Sequence, residues 1–281
     1  MTEGANSIEG TVPRVTCEVR EGVADVRLNR PEKLNALDSH MFEALVATGE
    51  RLAADRSVRA VVLSGEGRGF CAGLDFGSFQ AMAGQGHQSS AVGRLGVRPA
   101  GRIANQGQQA AYTWTELPVP VIAAVHGVAL GGGLQIALGA DLRVVAPDAR
   151  LSVLEIRWGL IPDMTGTEML PRLVGLDIAK ELTWTGRMVE GAEAVRLGLA
   201  TRLADDPRAD ALALAATIAA QSPAAIRGAK SLLNSSGRQP REQQFVDESR
   251  VMGSLIGTPA QAEAVRAYFE KRPPLFADPD A

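Results

Sequence analysis

Two glycine-rich segments place bare main-chain amides where a ligand could meet them: Gly69-Phe70-Cys71-Ala72-Gly73-Leu74-Asp75 and, much later in the chain, Gly131-Gly132-Gly133-Leu134-Gln135. Glycine has no Cβ to shield neighbouring N–H groups and tolerates unusual φ, and the second segment reads as the opening of a helix whose positive end would face the same ligand. Two such donors converging on one oxygen would form an oxyanion hole, stabilising a carbonyl as it gains negative charge. That chemistry needs a base nearby. Glu155 stands in the mostly apolar run Leu151-Ser152-Val153-Leu154-Glu155-Ile156, where an unpaired charge with no role would be costly.

The elements that must position these groups follow from periodicity. Residues 15–28 alternate around Glu21-Gly22, as a hairpin does, and Asp38 offers an N-cap to a helix carrying Phe42, Leu45, Val46 and Leu52. Short apolar runs at 60–63, 119–125 and 142–145 read as buried strands, with a short helix over 133–138 between the last two. Strands alternating with helices predict an α/β core. From Thr165 onward the pattern becomes predominantly helical, over 168–173, 178–183, 192–197, 208–220, 224–233, 241–255 and 259–269. Two parts are therefore expected, a core over 12–200 and a helical C-terminal region over 201–281. The stretch 77–107, rich in Gly, Ser and Gln, reads as a loop that covers a pocket or as a plain surface insertion.

Bulk properties narrow the class of function. The chain has 281 residues, 46% of them hydrophobic, enough for a sizeable core. A net charge of -3 and a pI near 5.7 argue against a protein that neutralises nucleic-acid phosphates. Cys17 and Cys71 give no disulfide framework, and residues 1–11 do not read as a signal peptide, so a cytoplasmic location is expected. No uninterrupted apolar window has the length of a membrane span, so no membrane partner is expected. His40, His87 and His126 are isolated and no Cys/His spacing fits zinc, so no metal is expected either.

In order and spacing, four stretches resemble the crotonase (enoyl-CoA hydratase/isomerase) superfamily: residues 29–37 (Asn-Arg-Pro-Glu-Lys-Leu-Asn-Ala-Leu), Phe70 to Asp75, the glycines from Gly127 to Gly133, and Leu154-Glu155-Ile156 followed by Gly159-Leu160-Ile161-Pro162. The resemblance implies a spiral of ββα units with a helical C-terminal region that packs into homotrimers, usually paired as hexamers. It implies an acyl-CoA thioester as substrate, coenzyme A arriving as part of that substrate, and no other cofactor. The oxyanion donors would be the amides of Ala72 and Gly132. Glu155 falls where the family places a catalytic glutamate. Lys33, Ala36, Gly73, Leu74 and Asp75 lie in the segments that grip coenzyme A, largely through main-chain groups.

Two positions bear on the choice of reaction. The hydratase pattern has a glutamate where this chain has Gln135; an amide can hold a water but cannot take its proton, which weakens hydration and leaves proton-transfer isomerisation standing. Asp163 sits where dienoyl-CoA isomerases carry a second acid, and ordinary hydratases usually have glycine there. The dienoyl-CoA isomerase pattern also has an aspartate where Gln135 stands. Two carboxylates along an acyl chain could remove a proton at one end and return one at the other. Asp163 or Thr165, with Glu168, could equally cap the following helix. The reading reached is an acyl-CoA double-bond isomerase with Glu155, Asp163 and Gln135 at the catalytic centre. Its rivals are a hydratase or other crotonase-type reaction and a non-catalytic acyl-CoA-binding protein.

Overall fold

Glu21 and Gly22 both take positive φ, 50° and 78°, the backbone that a two-residue hairpin turn demands. They join β1 (Val15–Arg20) to β2 (Val23–Leu28) with Arg20 opposite Val23 and Val15 opposite Leu28. In this computed structural model, which describes residues 12–75, 77 and 96–278, β2 continues the sheet in parallel with β3 (Ala60–Gly65). A parallel partner requires a crossover, and the intervening α1 (Ser39–Ala54) supplies it. Its N-cap is Asp38, which accepts the Met41 amide through its side chain at 2.8 Å, as the sequence predicts.

The remaining strands divide between two sheets. The larger runs β1-β2-β3-β4-β6-β9, with β4 (Val121–Val125), β6 (Leu142–Val145) and β9 (Arg202–Leu203). The smaller runs β5-β7-β8, with β5 (Val128–Leu130), β7 (Arg150–Ser152) and β8 (Val189–Glu190). Successive strands alternate between the sheets, β4 then β5 and β6 then β7, and helices close the turns. This is the α/β spiral that the sequence predicts. The three short strands of the small sheet were not legible in the apolar pattern, because strands of two or three residues carry no period.

The described helices number ten. After α1 come α2 (Gln106–Glu116), α3 (Gly132–Leu138), α4 (Gly166–Val174), α5 (Leu176–Thr185), α6 (Gly191–Leu197), α7 (Pro207–Ala219), α8 (Pro223–Ser235), α9 (Arg241–Leu255) and α10 (Pro259–Glu270). One core cluster joins Leu28, Val61 and Val125 of the large sheet to Leu45, Trp114 and Ile136 from α1, α2 and α3. A second lies on the other face, where Ala211, Ala215 and Ala219 of α7 pack on Val62, Ile122 and Val144. Alanines spaced four apart line one side of a helix and let it lie close to the sheet.

Packing moves the expected boundary at 200/201. The pairing of β9 with β6 and the docking of α7 carry the core well past residue 201. The periodic pattern shows only that helices predominate there, not that the first of them covers a sheet. No single described helix is long and apolar enough to cross a membrane; α7 and α8 are apolar together but meet at 112°. The last two helices differ from the rest: α9 buries none of its residues, and Phe245, Val246, Met252, Tyr268 and Phe269 on α9 and α10 are exposed.

Candidate active site

The first glycine-rich segment is held by main-chain ladders on both sides. Cys71 N–H donates to Val128 O at 2.9 Å and Leu130 N–H returns to Cys71 O at 3.0 Å, so the segment runs parallel to β5. On its other side Ala72 N–H donates to Leu34 O at 2.9 Å, Leu37 N–H to Gly73 O at 2.8 Å, and Asp75 N–H to Leu37 O at 3.0 Å. The amides of Cys71, Ala72 and Asp75 are therefore consumed. The expectation that Ala72 supplies an oxyanion donor is corrected by this ladder, because its N–H already has an internal acceptor. Leu74 lies between two ladder partners, and its N–H meets no acceptor among the described residues.

The partner loop 30–37 is shaped by a residue not singled out from the sequence. Asn35 is fully buried; its Oδ1 accepts the Arg30 amide at 2.8 Å and its Nδ2 donates to Glu66 O at 2.9 Å and Gly69 O at 2.8 Å. Leu34 and Asn35 both take positive φ, 49° and 56°, a conformation that Asn tolerates better than most residues. The side-chain bonds over-determine that bend. A buried Asn beside a Pro-Glu-Lys turn is the signal that could have found it.

The second segment approaches the first closely. A Cβ on Gly133 would fall 2.4 Å from Cys71 O, and one on Gly73 would fall 2.6 Å from Leu130 O and 3.6 Å from Gly132 N. Only glycine permits this contact. Gly132 opens α3, where a helix amide has no intrahelical acceptor, and its N–H has no partner among the described residues. Leu37 and Met164 crowd it, since a Cβ at Gly132 would lie 3.0 Å from each of their side chains. Such apolar surroundings strengthen a main-chain dipole.

Glu155 reaches the same place through the small sheet. β5 pairs in parallel with β7, and Gly131 N–H donates to Ser152 O at 2.9 Å, so the chain leaving β7 delivers Glu155 beside the Gly131 corner. A Cβ at Gly131 would sit 3.3 Å from Glu155 Oε1. The Glu155 carboxyl is buried, and burial is the main cause that pushes its pKa up; its own amide and Gln135 Nε2 pull it down, and the charge of Asp163 pushes it up again. Oε1 accepts Gln135 Nε2 at 2.6 Å, while Oε2 is buried with no partner among the described residues.

Gln135 and the 163–166 turn complete the arrangement. Gln135 Oε1 accepts two amides, Met164 N–H at 2.8 Å and Gly166 N–H at 2.9 Å. Asp163 is exposed, acts on Glu155 through its charge, and lines an open cavity of about 580 Å³ with Thr165, Gln108 and Tyr112. The N-cap of α4 is Thr165 rather than Asp163, and it makes no side-chain cap bond. Thr165 has φ 75° and a buried hydroxyl without a partner among the described residues. For a β-branched residue this is strain, which tends to gather at functional sites.

The residues expected to grip coenzyme A fall around the 30–37 and 71–75 ladders. Lys33 is exposed at the end of the turn Pro31–Lys33; Ala36 is buried, with its O accepting Arg30 Nη1 at 3.1 Å. Gly73 is buried at φ 87°, and Leu74 is half-buried. The Asp75 carboxylate pairs with Arg30 at 2.7 Å, and this guanidinium is the side-chain partner that holds its pKa below the usual carboxylate range. Asp75 therefore ties the two ladders together. The mostly glycine-rich stretch 77–107 lies largely outside the described residues, apart from its end, where Asn105 and Gln108 form a reciprocal cap on α2.

Residues 18–279 match the enoyl-CoA hydratase/isomerase family. The chain is 34% identical over 265 residues to a Bacillus subtilis protein described as "Probable enoyl-CoA hydratase", covering 93% of this chain and 98% of that one. It is 33% identical to the mouse mitochondrial methylglutaconyl-CoA hydratase, covering 92% and 81% respectively. The crystal structure of an enoyl-CoA hydratase from Bacillus anthracis superposes with a TM-score of 0.85 at 29% identity, covering 95% of this chain and all of the other. The dienoyl-CoA isomerase branch is not singled out by these relatives, whose names say hydratase. By fold, motif order and full-length similarity, this chain belongs to the enoyl-CoA hydratase/isomerase family.

Proposed function

We propose that the protein shifts a double bond in an acyl-CoA thioester by proton transfer through an enolate. The thioester oxygen sits between the N–H groups of Leu74 and Gly132, neither of which meets a main-chain acceptor among the described residues. Glu155 Oε2 removes the proton from the carbon next to the carbonyl, and the electron pair moves onto the held oxygen. When the carbonyl re-forms, a proton returns at the far end of the conjugated system, from Asp163 or from Glu155 itself. No proton is gained or lost overall, and no water is consumed.

One observation carries this reading: the residue touching Glu155 is an amide that donates, at 2.6 Å, rather than a second carboxylate. Adding water across a double bond calls for a group that takes the water's proton, and Gln135 cannot. Incubation with 3-enoyl- or 3,5-dienoyl-CoA is expected to give the conjugated 2-enoyl or 2,4-dienoyl product, respectively, faster than crotonyl-CoA is hydrated. Efficient hydration of crotonyl-CoA with no isomerisation would overturn the reading. Hydration is the second reading, favoured by the names of the relatives; in it Asp163 supplies the missing acid–base group. Coenzyme A is needed only as part of the substrate. The exposed apolar residues of α9 and α10 suit a homotrimer or hexamer, checked by sedimentation.

A further inference from the structure

We infer that Gln135 is a positioning residue that decides which oxygen of Glu155 exchanges the proton. A side-chain amide can be turned over without changing shape, so its orientation must be read from its neighbours. Here the neighbours leave one choice: the Met164 and Gly166 amides, 2.8 and 2.9 Å away, are both donors and must face the Gln135 oxygen. The NH2 group is thereby turned toward Glu155 and donates to Oε1 at 2.6 Å.

That donation has a chemical consequence. While Oε1 accepts a hydrogen bond it cannot also present a proton along the same line, so the acid form of Glu155 must carry its proton on Oε2. Oε2 is the oxygen left buried and without a partner among the described residues, and an anionic oxygen with no donor is the more basic of the two. A glutamate at position 135 could accept the same two main-chain amides. Its second oxygen would then face Glu155 Oε1 at hydrogen-bond distance, and the pair would have to share a proton. Gln135 keeps the site at one working oxygen. Because the other end of Gln135 holds the strained Thr165 turn, the same side chain also spaces Asp163 from Glu155.

Among the described residues the charged group acting on Glu155 is Asp163; α3 contributes the neutral Gln135, and the β5–α3 corner contributes the main chain of Gly131. The most direct test is a neutron structure of the deuterated protein at a pH below the Glu155 midpoint. A deuteron on Oε2 is expected; one on Oε1 would overturn the inference. In solution, carbon-13 NMR of labelled glutamate, assigned with Glu155→Gln, reads the midpoint in the native protein, in Gln135→Met and in Gln135→Glu. Gln135→Met removes the donor, so the midpoint should rise. Gln135→Glu keeps the shape and both main-chain bonds, and covers the case in which Gln135→Met does not fold. It should raise the midpoint further and make the titration biphasic. An unmoved midpoint in either folded variant would refute the positioning role.

The kinetic arm rests on the isomerase reading: Gln135→Met should lower kcat/KM on a 3-enoyl-CoA about tenfold or more, with the acid limb moving upward alongside the NMR midpoint. The two failures are distinguishable. A native enzyme that turns over no enoyl-CoA while the midpoint still moves removes the isomerase reading and leaves the positioning of Glu155 intact.

Discussion

The two glycine-rich segments end in the same place by different physics. At 131–133 the spare amide is a product of helix geometry: the first residues of any helix lack intrahelical acceptors, so Gly132 is left free wherever α3 begins. At 71–75 the chain sits between β5 and the 34–37 loop, and Gly73, at φ 87°, interrupts the alternation of an extended strand. Ala72 N–H and Asp75 N–H go to Leu34 and Leu37, and the amides between them, Leu74's included, are passed over. Helix amides can be assigned from a start signal. Ladder amides depend on pairing register, and sliding the reading by two residues changes the answer while every motif residue stays the same.

That contrast can be tested, and the largest effect should come from the carboxylate that both segments serve. Glu155→Gln should lower turnover about 10³-fold with little change in acyl-CoA affinity, measured by steady-state kinetics and calorimetry. If turnover is unchanged, the meeting of the two segments at this point has no catalytic meaning. Next come the amides themselves. Replacing the amide N–H by an ester oxygen at Leu74 or at Gly132 should each cost about 10²–10³ in kcat. The same replacement at Ala72 should leave kcat within a few fold and lower stability by about 1 kcal/mol, the worth of one main-chain hydrogen bond. The reverse ranking would restore Ala72 as the donor.

A smaller effect sharpens how the segments are brought together. Gly133→Ala puts a methyl 2.4 Å from Cys71 O. Backbone on both sides cannot yield cheaply, so a loss of about 1–3 kcal/mol in unfolding free energy is expected. Activity should fall along with it as the two amides part.

The smallest effect concerns pH. Glu155 has its folded pKa raised, so its ionised form costs stability: the stabilisation from the proton is present below the unfolded pKa and lost as pH rises through the folded one. Glu155→Gln should therefore show a slightly higher Tm than the native protein above that pH and not below it. The acid limb of kcat/KM should lie above the ordinary glutamate range, because the base must be ionised to work. Asp163→Asn removes the charge that raises the Glu155 pKa and should move that limb down.

Much of this was readable in the amino-acid sequence. The hairpin at Glu21-Gly22, the Asp38 cap, the buried strands of the large sheet and every C-terminal helix follow from period, turn chemistry and capping, which are local properties. The helix start at Gly132 and the burial of the Glu155 charge were legible for the same reason. The rest depends on partners remote in sequence. That Ala72 spends its amide on Leu34, that Asn35 fastens the bend, that Asp75 belongs to Arg30 and that residues beyond 200 complete the sheet are all consequences of pairing register and packing. Gln135 shows the division most plainly. Its type weakened the case for a second base, but only the two main-chain donors from the 164–166 turn determine which way its amide points, because a side chain's hydrogen-bond polarity is set by neighbours that the linear chain does not place beside it.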